Sequence, residues 1–258
     1  MSSSSSSNAI PGTGLSGVAV PPPIGPVYRV AGNRGGGQAE AFSPFDPPSW
    51  HIPFKGRFDD PRISAGAPKE QCFRTIYFAT ELAGAFGETI QRFIPGPELL
   101  RKIFQGKTPL DPQLLGGIVP AEWLKRRWIG KTRLDGSLLF VDLTATRTLT
   151  ALYHTAWIPP LIEKLGLSSL DISATTGNSL KHRELTQEIA LYIYNQQDSH
   201  GQALYAGLKY MSHLNRDWEC WAVYYDRLLH APMSTRQVRL NDPELIRAAT
   251  ELNLRIAP

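Results

Sequence analysis

A mixed α+β fold in a single domain is predicted by three features of the chain. Short apolar runs of strand length recur at Phe73 to Ala79 (FRTIYFA), Leu138 to Leu143 (LLFVDL), Gly207 to Met211 (GLKYM) and Cys220 to Tyr225 (CWAVYY). A clear amphipathic helix runs from Asn178 to Asn195, with Leu185, Ile189 and Ile193 on one face at three- and four-residue spacing. The strands are separated by long loops as well as helices, which argues against a strictly alternating parallel sheet.

The bulk composition agrees. Of 258 residues, 42% are hydrophobic and 10% aromatic, enough to bury a core. Residues 1–25 are rich in Ser, Gly and Pro and read as a flexible or extended lead-in. The domain then occupies 26–258. Val27-Tyr28-Arg29-Val30 is a short β-prone run. The glycine-rich stretch Gly32 to Gly37 lacks the Lys-Ser/Thr ending of a phosphate loop and reads as a mobile loop. Residues 42–68 are loop-like. Thr80 is a candidate N-cap for a helix over Glu81 to Phe93, stopped by Pro95 and Pro97.

Further along, Leu99, Leu100, Ile103 and Phe104 suggest a helical turn or two. The stretch at about 95–137 reads as an insert, a helical decoration with a small core of its own; a lid or partner surface is the other reading. A helix around Leu149 to Trp157 is broken at Pro159-Pro160, and Asp242-Pro243 opens the last helix as cap and first residue. Asn215, Arg216 and Asp217 form a turn between two strands.

Several function classes are disfavoured. With 27 Lys and Arg against 23 Asp and Glu, the net charge is +4, and no basic block has the length of a nucleic-acid arm. The basic aromatic stretch at 123–133 is the nearest approach, too modest to prefer nucleic-acid binding. Cys72 and Cys220 have no zinc-ligand spacing; no metal is expected, and the two read as buried free thiols, with one disulfide as the alternative. There is no run of about 18 apolar residues, so no membrane span is expected. MSSSSSSN lacks a basic and an apolar region, so no secretory signal is expected.

Four spots carry the types of side chain that chemistry needs: Tyr28-Arg29, the constrained turn Gly56-Arg57-Phe58-Asp59-Asp60-Pro61, the pair Tyr77 and Glu88, and Tyr210-Met211-Ser212-His213. Singly, each has an ordinary structural explanation: a surface arginine, a core tyrosine, a solvated helix glutamate, a turn serine. His213, as a turn residue, is incidental on this reading.

Their order is more informative. Tyr-Arg, Gly-Arg-Phe, a strand with Tyr-x-Ala, a glutamate three helical turns on, and Gly-x-x-Tyr-x-Ser resemble the RES domain, named for its Arg, Glu and Ser residues. The matching text is VYRVA at 27–31, FSPF at 42–45, GRFDDP at 56–61, TIYFATELAGAFGET at 75–89, LFVDLT at 139–144, ELTQEIA at 184–190 and GLKYMS at 207–212. The resemblance runs from about residue 27 to about residue 228. It implies an ADP-ribosyltransferase-like fold, with two small twisted β-sheets forming a central cleft flanked by helices. It also implies a toxin-like enzyme that cleaves the nicotinamide–ribose bond of NAD⁺, as a glycohydrolase or phosphorylase. The alternative is an ADP-ribosyltransferase that modifies a protein; a binding module that keeps the fold without catalysis is a third reading.

By the same resemblance, Arg29, Arg57 and Glu88 are the catalytic set. Tyr28, Arg29, Arg57, Tyr77 and Ser212 bind NAD⁺, the tyrosines against nicotinamide or ribose and Ser212 by hydrogen bonding. NAD⁺ enters as substrate, with no metal. An antitoxin or immunity protein covering the active site is the implied partner. The implied location is the cytoplasm of the producing cell or of a cell into which the protein is delivered.

Overall fold

The computed structural model describes residues 15, 18–32, 43–46, 50, 56–96, 101, 105, 117–177 and 179–257. The glycine-rich stretch from 33 to 37 and the proposed turn at Leu99, Leu100, Ile103 and Phe104 lie outside them, as does most of the lead-in.

Eight strands form one sheet in the order β1-β6-β7-β8-β3-β2-β5-β9. They are β1 (Ala19–Val20), β2 (Val27–Gly32), β3 (Thr75–Ala79), β5 (Arg127–Leu134), β6 (Phe140–Asp142), β7 (Gly207–Met211), β8 (Glu219–Tyr224) and β9 (His230–Gln237). Only β6 and β7 pair in parallel; the other pairs are antiparallel. A separate parallel ribbon joins β4 (Ile118–Val119) to β10 (Arg255–Ile256). The helices are α1 (Pro61–Ser64), α2 (Leu82–Ile90), α3 (Ala121–Lys125), α4 (Thr146–Tyr153), α5 (Ile158–Lys164), α6 (Ile172–Thr176), α7 (Leu180–Tyr194) and α8 (Pro243–Glu251).

The central strands are apolar on both sides because both faces of the sheet are covered. Strand parity assigns each residue to a face. Ala79, Leu208, Tyr210, Cys220 and Ala222 join a large core with α2, α7 and α8. Ile76, Phe78, Phe140, Trp221 and Val223 join a smaller core on the other face, with Val27 and Phe45. Helix α7 buries Leu185, Ile189 and Ile193, as their spacing predicts, and Ser179 caps its start. The Tyr224 hydroxyl donates to the Ala190 carbonyl at 2.7 Å and fastens this helix to β8.

The architecture is mixed α+β, but the described strands make a continuous eight-stranded sheet in place of two small ones. The reason lies in the 95–137 stretch. Far from a decoration, it delivers β5, which pairs with β2 along six residues and with β9 on its other edge. Val119, Leu124 and Ile129 from this stretch lie in the large core. Its cations disguised the strand: buried Arg127 stacks 3.9 Å from the Trp123 ring centroid and packs against Gly32, where a Cβ would meet Arg127 Nη1 at 1.8 Å. Arg127 is thus held inside the fold, not displayed as a basic surface.

Smaller corrections have local causes. Thr80 does not cap α2; Glu81 holds that position, while the Thr80 amide donates to the Glu219 carbonyl of β8 at 3.0 Å. The helix is also shorter, passing into a 3-10 turn over Gln91–Phe93. Pro159-Pro160 opens α5 instead of breaking a helix, because proline fits the first turn, where no amide partner is needed. Asp242 precedes α8 as expected, but its carboxylate binds Arg236 and the Arg239 amide instead of capping. Asn215 forms the expected turn, accepting from the Asp217 amide at 2.9 Å. Both cysteines are free, Cys220 buried as expected and Cys72 only half-buried.

Candidate active site

The GRFDDP segment is a turn held from all sides. The Asp59 carboxylate accepts from the Gly56 amide at 2.6 Å and from the Tyr77 hydroxyl at 2.8 Å. The same hydroxyl accepts from the Phe58 amide at 3.0 Å. Gln187 of α7 donates to the Gly56 carbonyl at 2.9 Å, and Thr75 donates to the Phe58 carbonyl at 2.8 Å. Glycine is required at position 56, since a Cβ there would sit 2.3 Å from the Tyr77 hydroxyl oxygen. Asp60 anchors the far end, accepting from the Phe73 amide at 3.0 Å and pairing with Arg62. Burial pushes the Asp59 carboxyl up, with the bonds from Tyr77 and the Gly56 amide pulling it part-way back. Burial, together with the neighbouring Asp59, pushes the Tyr77 hydroxyl well above the ordinary phenol range.

This turn projects Arg57. Its Nη1 donates at 3.1 Å to the Thr175 carbonyl in the last turn of α6, a carbonyl that helix geometry leaves without an intrahelical partner. The guanidinium carbon lies 5.2 Å from the Tyr210 ring centroid, and Tyr210 packs on Phe58 at 4.8 Å. Arg57 Nη2 is buried without a hydrogen-bond partner.

Helix α2 brings Glu88. Gly84 and Gly87 let the helix lie against Trp218; a Cβ on Gly87 would stand 2.0 Å from its ring. Glu88 Oε1 accepts from the Ser212 hydroxyl at 2.5 Å, and Oε2 accepts from Gln91 at 3.2 Å. Ser212 is buried at the end of β7 and also accepts from the Leu214 amide at 3.1 Å. Next to it, His213 has its Nδ1 buried without a partner. Burial holds the His213 imidazole below its ordinary range; Glu88 acts against this and Arg57 reinforces it.

Arg57, Tyr77, Glu88 and Ser212 therefore gather on the face of the sheet covered by α2. Tyr28 shares that face on the neighbouring strand, opposite Ala79 and Lys131, with the Lys131 ammonium 5.9 Å from its ring centroid. Arg29 does not join them. Its cross-strand partner is Gly130, whose Cβ position faces Phe45 on the other face. Its guanidinium donates to the Pro44 and Asp46 carbonyls at 2.8 and 2.9 Å. Adjacent residues on a strand point to opposite faces, so Tyr28 and Arg29 cannot both reach one cleft directly from β2.

Two other roles shift. The Tyr77 hydroxyl is committed to Asp59 and Phe58, so it orients the Arg57 turn. The Ser212 proton is committed to Glu88. The sequence motifs contained Asp59 and Tyr210 without giving either a role, and Gln91 and Gln187 were not singled out. The signal for Gln91 was its place three residues beyond Glu88 on a helical path; Gln187 lies within ELTQEIA, but its partner Gly56 is 131 positions away and no local pattern pairs them. No cluster of His, Cys, Asp and Glu suited to a metal occurs among the described residues. No helix among them is long and apolar enough to cross a membrane.

No protein-family model and no curated protein match the chain. A solved structure, the crystal structure of the M. tuberculosis MbcT-MbcA toxin–antitoxin complex, aligns over 93% of this chain and 94% of its own, with 11% identity and a TM-score of 0.49.

Proposed function

We propose that the protein cleaves the nicotinamide–ribose bond of NAD⁺, with Glu88 and Arg57 as its central residues. The observation that carries this reading is a carboxylate fixed on both oxygens, by Ser212 and Gln91, on the same face as a half-buried arginine with one guanidinium nitrogen buried and unpartnered. Breaking the C1′–N bond sends the electron pair to the ring nitrogen, which loses its charge as nicotinamide leaves. Positive charge builds on the ribose, as in glycoside cleavage. A carboxylate held in advance stabilises that charge without reorganising. Each Glu88 oxygen still has acceptor capacity for a ribose hydroxyl. Nicotinamide departs without a general acid, so one carboxylate suffices.

In this reading Arg57 grips phosphate oxygens, for which a guanidinium is suited. Tyr28 offers an aromatic face, and Tyr77 and Ser212 act by positioning Arg57 and Glu88. Water or inorganic phosphate completes the reaction. A protein side chain in that place would make the enzyme an ADP-ribosyltransferase, the second reading, since the same residues serve. A protein that consumes NAD⁺ in the cytoplasm requires restraint, and the partner proposed is an antitoxin or immunity protein, as the RES resemblance implies.

The test is nicotinamide release by purified protein, with and without phosphate, for wild type and Glu88→Ala. Release by wild type alone is expected. Label from NAD⁺ retained on protein would favour the transferase, and no loss of NAD⁺ with folded protein would reject both.

A further inference from the structure

Resting on that reading, we propose that His213 is a further substrate-binding residue, which with Arg57 forms a subsite for a phosphoryl oxygen beside the Glu88–Ser212 pair. Among the described residues, five buried side-chain atoms have no hydrogen-bond partner; His213 Nδ1 and Arg57 Nη2 belong to side chains beside Ser212 and Tyr210, while Trp218 Nε1 belongs to the indole packed on Gly84 and Gly87. An unpaired buried polar atom is costly, and native folds keep few of them. Two at one site call for a ligand that satisfies both.

The chemistry of that ligand follows from the donors. Arg57 Nη2 can only donate. The neutral imidazole places its proton on whichever nitrogen finds an acceptor, so Nδ1 donates when one is presented. Two unpartnered N–H donors, one of them on a cation, suit an anionic oxygen that accepts without donating, and a phosphoryl group supplies it. The one hydrogen bond of Arg57 to a described residue goes to the Thr175 carbonyl, not to a carboxylate, so its charge has no ion-pair partner there.

The placement agrees. His213 follows Ser212, which bonds Glu88 at 2.5 Å, and Tyr210, three positions earlier, lies under the Arg57 guanidinium. Glu88, bonded to Ser212, and Arg57, stacked on Tyr210, both lie against the 210–213 segment that carries the imidazole. Burial keeps His213 neutral near pH 7, which avoids a second cation against Arg57 in the free enzyme. Glu88 stands at the side of the site where positive charge develops, and the two nitrogens at the side where an anion binds.

The experiment compares wild type, His213→Ala and His213→Asn, the last supplying an amide nitrogen near the Nδ1 position. NAD⁺ cleavage is measured while NAD⁺ and inorganic phosphate are titrated, and thermal stabilisation is measured with ADP, which is not cleaved. His213→Ala is expected to raise KM tenfold or more with kcat within threefold, and to lose stabilisation by ADP or by phosphate. His213→Asn should restore most of both, an outcome that a purely structural histidine does not produce. Losses confined to NAD⁺ and ADP assign the subsite to the dinucleotide; losses confined to inorganic phosphate assign it to the attacking group. Unchanged KM and unchanged stabilisation in His213→Ala overturn the proposal while leaving NAD⁺ cleavage standing. A wild type that releases no nicotinamide, yet binds ADP through His213, overturns the cleavage reading and leaves the subsite. A wild type that neither cleaves NAD⁺ nor is stabilised by ADP or phosphate overturns both.

Discussion

Arg29 and Arg57 both stand next to an aromatic residue, and both donate to backbone carbonyls, yet they lie on opposite faces of the sheet. Arg29 ties β2 to the turn at 43–46. Arg57 uses one nitrogen on α6 and keeps a second, buried and unpartnered, beside the Glu88 side of the molecule. A motif match treats the two alike. Strand parity separates them, because a shift of one residue along a strand moves a side chain to the other face. The same contrast holds for Tyr28 and Arg29 as neighbours: one faces α2, the other Phe45.

The sharpest way to break this contrast is at Glu88. Glu88→Gln keeps the shape and removes the charge; nicotinamide release should fall on the order of 10²–10³-fold, the scale of losing one electrostatic contact in a transition state. Arg57→Ala should lower it by a comparable factor, whereas Arg29→Ala should cost stability, about 1 kcal/mol for the part-buried Pro44 carbonyl left unpaired, with turnover near wild type. Equal loss of turnover in the two arginine variants would erase the distinction between the faces.

Smaller effects probe how the site is held. Ser212→Ala removes a charge-assisted bond to Glu88 and should reduce kcat about tenfold, read by steady-state kinetics at saturating NAD⁺. Gly87→Ala forces Trp218 off α2 and should lower stability by about 1–3 kcal/mol in chemical denaturation. Tyr77→Phe leaves Asp59 and the Phe58 amide short of a partner and should cost about 1–2 kcal/mol, with KM rising more than kcat falls.

The mildest prediction concerns pH. Burial holds His182, His213 and His230 below the ordinary imidazole value of 6.5. The unfolded chain therefore binds more protons than the folded one as pH falls below about 6.5, and stability declines through that window while remaining complete above it. Asp59 acts in the opposite sense, its raised carboxyl contributing fully below the ordinary 3.8 and losing that contribution as pH rises through its folded value. Thermal midpoints at pH 7.5 and 5.5 check the sign, which a histidine triple variant should flatten.

Much of this was legible in the sequence. The runs FRTIYFA, GLKYM and CWAVYY supply β3, β7 and most of β8 because β-branched and aromatic residues fill positions buried on both faces. The Leu185, Ile189, Ile193 stripe gave α7. The tight run from Tyr77 to Glu88 put a strand tyrosine and a helix glutamate on one face. What was hidden depends on distant partners. RWIGKTRL carries three cations in eight residues and reads as surface, yet Trp123 and Gly32 make room for Arg127 inside. HAPMSTRQ is exposed along most of its length and has no apolar alternation to mark it as β9. The bonds from Asp59 to Tyr77 and from Gln187 to Gly56 join residues 18 and 131 positions apart, beyond any local pattern.

The most direct measurement is nicotinamide release from NAD⁺ by wild type, Arg57→Ala and Arg29→Ala, with folding of each verified by circular dichroism. Release by wild type and Arg29→Ala, with a loss of about a hundredfold or more in Arg57→Ala, is the expected result. Folded wild-type protein that leaves NAD⁺ intact would contradict it.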